Sequence, residues 1–235
     1  MKKNISVIIP TFNGEEFLEK QIESIVPQLI RGDRIICLDD ASTDMTLKVL
    51  SRLSTKYVML NYFSSTVNRG PNLVVWDLLQ LVTDDLFVFC DQDDIWLPGR
   101  LDVVRRCGVG ELSVVGYLPF TSSGEYFEPV LPKSINLFRT FFKPSVPGCT
   151  IGGCVHTARK LFFSGYIKTL YDQFILINAL LKGVKIITDM EVRVLYRRHE
   201  GTITRMGIAP NGVWRALIRR VDILKDIFHE IQRSR

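Results

Sequence analysis

The segment LFVFCDQDDIWLP, Leu86 to Pro98, passes in one step from an apolar run to a cluster of carboxylates. So short a run, bounded by acids, predicts a buried strand with hard oxygen ligands at its carboxyl end. In an open α/β sheet that edge is where ligands bind. Asp91 and Asp93 stand at i and i+2 beyond the strand, a spacing that suits one divalent cation. Mg²⁺ or Mn²⁺ typically takes one or two carboxylates and completes its shell with water and substrate phosphate oxygens. The segment points to an α/β protein with a metal-diphosphate site.

The flanking sequence carries the same rhythm. Ile5–Pro10, Arg34–Leu38, Val58–Phe63 and Leu86–Cys90 are short apolar runs that predict strands covered on both faces. Helical stripes lie between them. Phe17, Leu18, Ile22, Ile25, Val26 and Leu29 make the first, which Pro27 kinks or closes. Met45–Leu53 makes the second and Leu73–Leu81 the third. This alternation predicts a mostly parallel, doubly wound sheet with right-handed crossovers. Farther on, Pro98–Cys107 reads as a helix opened by proline. Residues 119–147, with five prolines among aromatics, read as a long irregular binding loop. Tyr171–Lys182 is a helix followed by Gly183, then come strands Lys185–Thr188 and Val192–Tyr196 and an amphipathic helix Trp214–Ile231. Three units are expected: a nucleotide-binding half over 1–107, an acceptor-binding half over 108–205, and a basic C-terminal helix over 206–235.

A chain of 235 residues with 46% hydrophobic and 23% charged residues can bury a full core. The net charge of +5 is concentrated in residues 193–235, which suits an anionic partner or a solvated basic face. Five cysteines without paired spacing imply no disulfide framework and a reducing compartment. Met1-Lys2-Lys3-Asn4 opens no signal peptide, and no apolar stretch reaches spanning length, so a cytoplasmic protein is expected.

Candidate site residues gather at strand ends. The first strand delivers Pro10, Thr11, Phe12 and Asn13, the second Asp39 and Asp40 with Ser42 and Asp44, the fourth Asp91 and Asp93. Asn13 with Glu16 also resembles a capping box, and Ser42 an N-cap. Capping does not account for the paired and clustered aspartates, which repel unless a cation sits between them. The first strand is followed by no glycine-rich phosphate loop of either common type, so a diphosphate held here needs a metal.

The segments SVIIPTFNGEEFLEKQIESI, LDDASTD, NRG and DQDDIWLPGRL resemble successive motifs of glycosyltransferase family 2, inverting enzymes of the GT-A fold. DQDDIW with the later PGCT is most similar to the bacterial rhamnosyltransferase-like branch. The resemblance spans roughly residues 4–200. It implies that Pro10, Thr11, Asn13, Asp39, Asp40, Asn68, Gly70 and Asp91 line a nucleotide pocket. It further implies that Asp91 and Asp93 form the D-x-D metal motif, with His199 of VLYRRHE as either a third ligand or a diphosphate contact. Asp172 in YDQFILINALLKG matches the family's catalytic base, although Tyr171 replaces the usual preceding histidine. Gly148 and Thr150 in PGCTIGG align with the acceptor-side loop, and Arg197 and Arg198 match positions near the diphosphate.

The resemblance implies an inverting transfer from a nucleotide-diphospho-sugar, dTDP-rhamnose or a UDP-hexose, to a hydroxyl of a saccharide or polyprenyl-linked acceptor in cell-surface polysaccharide (O-antigen) synthesis. Mg²⁺ or Mn²⁺ is the implied cofactor. The C-terminal helix suits either peripheral association with the cytoplasmic face of the inner membrane or docking on protein. An inactive nucleotide-sugar-binding relative and a sugar-phosphate nucleotidyltransferase are the alternatives. The latter needs a cationic glycine loop that Asn13-Gly14-Glu15 lacks. Nucleic acid is not expected as a partner, since the predicted cleft is acidic.

Overall fold

The computed structural model describes residues 3–142, 146–161, 169–198 and 212–233; within the last helix the described side chains are those of 220–229 and 232. Strands β1 (Ile5–Thr11), β2 (Arg34–Asp39), β3 (Leu60–Ser64) and β4 (Leu86–Phe89) alternate with helices α1 (Leu18–Ile25), α2 (Thr46–Lys56) and α3 (Pro71–Leu81). These four strands pair in parallel in the order β3-β2-β1-β4. The α1 stripe ends where Pro27 turns the chain into a short 3₁₀ segment, Val26–Gln28. Pro71, in turn, opens α3 with a ring already set at the helical φ.

Both faces of this sheet are covered, which explains runs apolar at every position. On β1, Ile5, Val7 and Ile9 pack with Leu18, Ile22 and Ile25 of α1 and with Leu50 and Leu53 of α2. Ile8 faces the other way, onto Val74, Val75 and Leu78 of α3. The alternation is the period of two that a pleated strand imposes.

Beyond β4 come β5 (Ile95–Trp96), α4 (Arg100–Arg105), β6 (Glu111–Thr121), α5 (Leu137–Phe142), β7 (Ile151–Cys154), α6 (Val155–Leu161), α7 (Tyr171–Leu181), β8 (Lys185–Arg198) and α8 (Gly212–Arg233). The sheet extends as β4-β7-β6-β8-β5, so a single eight-stranded sheet runs through both halves. Here the pairing is mixed: β7 is antiparallel to β4 and β6, whereas β6 and β8 run parallel.

Three expectations change in this half. Residues 119–121 are not loop; they complete β6, whose Pro119 sits opposite Tyr196. Lys185–Thr188 and Val192–Tyr196 are one strand, interrupted by register shifts at Val115, Gly116 and Tyr117 rather than by a turn. A Cβ on Gly116 would lie 2.8 Å from the Glu191 carbonyl oxygen, so the irregularity requires a glycine. The PGCTIGG segment is half strand: Ile151–Cys154 is β7, in contact with β4.

The five cysteines are free and buried. One face of α8 docks on the domain: Ile223 and Asp226 are buried, and Arg220 Nη2 donates to the Phe142 carbonyl at 3.0 Å. Val221, Leu224 and Phe228 stay exposed on the same helix. Among the described residues, no helix is long and apolar enough to cross a membrane.

Candidate active site

The carboxyl ends of β1, β2 and β4 open on a cleft of about 540 Å³. Pro10, Thr11, Asn13, Asp40, Asn68, Gly70, Asp91 and Asp93 line it from the β1–β4 side, and Gly148 and Asp172 from the other. Residues proposed from distant motifs therefore meet around one space. Asp39, Thr150, Arg197 and Arg198 are not part of its lining, and His199 lies outside the described residues.

On the β1–β2 rim, Asn13 and Ser42 are not helix caps. Helix α1 begins at Leu18 and α2 at Thr46, neither with a side-chain cap. Asn13 instead adopts φ 48° and its Oδ1 accepts the Thr43 N–H at 2.8 Å, while its own N–H donates to Ser42 Oγ at 2.9 Å. Ala41 also has a left-handed φ, 61°. Two non-glycine residues in that region within one loop pair mark a backbone over-determined by its contacts. Asp39 does the holding: its buried carboxylate accepts Thr11 Oγ1–H at 3.1 Å and the Ser42 N–H at 2.9 Å. Asp40 reaches into the cleft and accepts the N–H groups of Arg69 (2.9 Å) and Gly70 (2.8 Å), bringing the Asn68-Arg69-Gly70 turn to the rim.

The DQDD turn is fixed from both sides. Gln92 pairs its amide with the backbone of Phe12, accepting from N at 2.9 Å and donating to O at 2.8 Å. A Cβ on Gly14 would meet that amide at 2.2 Å, so Gly14 and Gln92 fit as a pair. Gln92 went unremarked in the sequence because it stands among more conspicuous acids. Behind the turn, Asp94 is buried and accepts the Arg197 N–H at 2.9 Å. Burial, with the neighbouring Asp93 and Asp91 charges, pushes its carboxyl well above the usual range. Arg197 Nε donates to the Asp93 carbonyl at 2.7 Å, and its guanidinium lies between the Phe17 and Phe120 rings, 4.9 and 4.5 Å from their centroids. Arg197 thus clamps the acidic turn from behind. Arg198 lies over the Phe127 ring.

Asp91 sits half-buried in the cleft, its carboxyl pushed up to about 7 by burial first, then by Asp93 and Asp172. Tyr171 Oη donates to Asp91 Oδ1 at 3.4 Å. Asp172, in the first turn of α7, is lifted to about 6 by burial, with the N–H groups of Gln173 and Gly148 pulling the other way. Gly148 has a second role. A Cβ there would lie 1.9 Å from Tyr171 Oη, so only glycine lets the tyrosine reach Asp91. Thr150 turns inward, its hydroxyl donating to the Pro147 carbonyl at 2.7 Å.

The donor set fits a hard divalent cation. Asp91 and Asp93 both face the cleft with Asp172 opposite, and among the described residues no Lys, Arg or His lines it. Crowded carboxylates with no basic side chain on the wall favour a cation between them. Asp91, Asp94 and Cys149 also bring ligand atoms within 4.8 Å of one another. Burial keeps the Cys149 thiol protonated and raises the Asp94 carboxyl, so this closed trio suits hydrogen bonding rather than a hard ion.

Fold and cleft together define a GT-A nucleotide-sugar transferase architecture. Two solved structures share it: TarS of S. aureus in complex with UDP-GlcNAc (TM-score 0.69, 19% identity, 94% of this chain and 66% of that one), and the mannosyltransferase PcManGT of Pyrobaculum calidifontis in complex with GDP-Man and Mn²⁺ (TM-score 0.64, 19% identity, 99% and 65%). Residues 6–169 match glycosyl transferase family 2, and the chain belongs to that family. A dTDP-rhamnosyl transferase, RfbG of Shigella flexneri, is 25% identical over 92% of this chain and 78% of its own length. The UDP-Glc:alpha-D-GlcNAc-diphosphoundecaprenol beta-1,3-glucosyltransferase WfaP of Escherichia coli is 22% identical over 95% and 86%. A poly(ribitol-phosphate) beta-glucosyltransferase of Bacillus spizizenii is 25% identical over 82% of this chain, which spans only 32% of that protein.

Proposed function

We propose that the protein is an inverting glycosyltransferase that moves a sugar from a nucleotide-diphospho-sugar to a hydroxyl of a saccharide or polyprenyl-linked saccharide, in cell-surface polysaccharide synthesis. The observation that carries this reading is the opposition, across one cleft, of the acidic turn after β4 and Asp172 at the start of α7. The names of family relatives support a dTDP-rhamnose or UDP-hexose donor and an undecaprenyl-linked or polymeric acceptor.

In this mechanism the nucleoside lies along Pro10, Thr11, Asn13, Asp40 and the 68–70 turn. Asp91 and Asp93 would hold a divalent cation, Mg²⁺ or Mn²⁺, which would supply Lewis-acid stabilisation for a departing diphosphate. Asp172 accepts the acceptor's hydroxyl proton as the O–H bond breaks and the new bond to the anomeric carbon forms. The bond from that carbon to the phosphate oxygen breaks on the opposite face, its electron pair leaving with the nucleoside diphosphate. The transition state is oxocarbenium-like, and one displacement with a base and no enzyme nucleophile inverts the anomeric centre. A carboxyl lifted to about 6 is still ionised near neutrality and is a stronger base than an ordinary aspartate.

The test is calorimetric titration of the purified protein with dTDP-rhamnose, UDP-glucose and GDP-mannose, each with Mn²⁺ and with chelator. One donor bound only with metal supports the reading. Equal binding with chelator, or binding of none, contradicts it.

A further inference from the structure

The four residues that bring Asp172 to the cleft, Thr169 to Asp172, take part of their backbone bonding from distant segments. Asn72 Nδ2 donates to the Thr169 carbonyl at 2.9 Å, and Asn72 Oδ1 accepts the Tyr171 N–H at 2.9 Å. Both ends of one amide are used on one stretch of chain, the pattern a neighbouring strand would present. From another direction Asp226 of α8 accepts the Thr169 N–H at 2.9 Å, with both residues buried. The N-cap of α7, Leu170, offers no side-chain bond of its own. The first N–H of the base-bearing helix is therefore satisfied by a residue almost a hundred positions away.

The origin of these two holders matters. Asn72 is the second residue of α3, directly after the Gly70-Pro71 corner that Asp40 holds at the cleft rim. One short piece of chain thus touches the proposed nucleotide site at residue 70 and the base-bearing segment from residue 72. Asp226 belongs to the C-terminal helix, none of whose described residues lines the cleft.

We infer that Asn72 and Asp226 are positioning residues for the base: they register residues 169–172 against the acidic turn, and through Asp226 the C-terminal helix is a working part of the active centre. The inference rests on the proposed function, in which Asp172 is the base. A displacement of about 1 Å in a reacting group is enough to cost on the order of a hundredfold in rate. A bond lost at residue 169 or 171 acts one to three positions from Asp172.

The test combines kinetics with amide hydrogen exchange on full-length Asn72→Ala, Asp226→Ala and Asp226→Asn. Turnover is read as nucleotide released from UDP-glucose or dTDP-rhamnose with Mn²⁺, whichever the wild type uses. Expected are a fall in kcat of about tenfold to a hundredfold for both alanine variants with donor KM within about threefold, and rescue to near wild type by Asp226→Asn, whose amide oxygen still accepts. Exchange should quicken in the peptide covering 169–173 and stay unchanged in β1 and β4. Unchanged kcat with faster exchange at 169–173 would overturn the inference, as would a kcat loss that merely follows a global loss of Tm and of protection. Failure of the parent reading looks different: the wild type itself would turn over neither nucleotide sugar, and the role given to Asn72 and Asp226 would go with it.

Discussion

On one wall of the cleft Thr11, Asp40 and Asp91 arrive at the ends of parallel strands β1, β2 and β4; on the other, Gly148, Tyr171 and Asp172 arrive from a 3₁₀ turn and the first turn of α7. The first wall is positioned by sheet register, since Thr11 stands opposite Asp39 and the Ile8 level of β1 opposite Phe89. A register is hard to disturb, because a one-residue slip would turn every core side chain to the wrong face. The second wall is set by a handful of side-chain contacts: Tyr171 against Gly148, Asn72 and Asp226 on the 169–171 backbone, the Gly148 amide near Asp172. Its geometry is correspondingly open to single substitutions. Donor binding should follow the first wall and catalytic rate the second.

The largest expected effect belongs to the second wall. Asp172→Asn should lower transfer by about 10²–10⁴, the range for losing a general base, while the calorimetric Kd for the donor changes little. Loss of donor affinity together with rate would show that the two walls are not separable. Asp93→Asn should do the converse, weakening metal-dependent donor binding by roughly 10–100-fold, measured by titration with Mn²⁺. Gly148→Ala places a methyl where Tyr171 Oη lies, 1.9 Å away. Overpacking of this kind costs about 1–3 kcal/mol, and a thermal melt should show it alongside a kcat loss of about tenfold from the displaced Tyr171 and Asp172.

Acidity offers a finer division. In the proposed mechanism Asp172 works ionised, and burial lifts it to about 6, so kcat should rise with pH through that value and then level off. The stability effect has the opposite sign. A carboxyl raised in the folded state binds its proton more tightly there than when unfolded, so its contribution is complete below the ordinary 3.8 and is lost as pH climbs through about 6. Protonation of this group should therefore slow the reaction without loosening the fold, checked by running pH–rate and pH–melt series on one sample. The smallest effect concerns Arg197. Held between Phe17 and Phe120 with Nε on the Asp93 carbonyl, it should tolerate lysine with only a few-fold loss of donor affinity. A loss as large as that of Asp93→Asn would return Arg197 to the diphosphate.

The same contrast governs what the sequence could tell. The β1–β4 wall was legible because its signal is local: apolar runs such as ISVIIP and LFVFC end in polar clusters, and strand ends in a parallel sheet share an edge. Asp172 and Gly148 could be placed only through resemblance, since nothing in YDQFIL distinguishes a base from a helix-terminal acid. Arg197 shows the limit clearly. As a cation in an R-R-H run it reads as a phosphate partner, yet the rings that turn it away come from positions 17 and 120. Asn72 gives no sequence signal at all, because its partners lie about a hundred residues downstream. No strand was expected anywhere along β6, Glu111–Thr121, and its end has a local cause: five prolines in 119–147 masked residues whose Pro119 still pairs opposite Tyr196.

One measurement bears most directly on the central claim, that a divalent ion held by the acids after β4 meets the donor diphosphate opposite Asp172. It is the anomalous scattering of Mn²⁺ in crystals of this protein soaked with the sugar nucleotide selected by the binding panel. The account predicts a single strong peak within ligand distance of Asp91 and Asp93, with diphosphate oxygens completing its shell and the anomeric carbon turned toward Asp172. A peak at the Asp94–Cys149 side, or a nucleotide bound with both cleft-facing acids left in solvent, would contradict it.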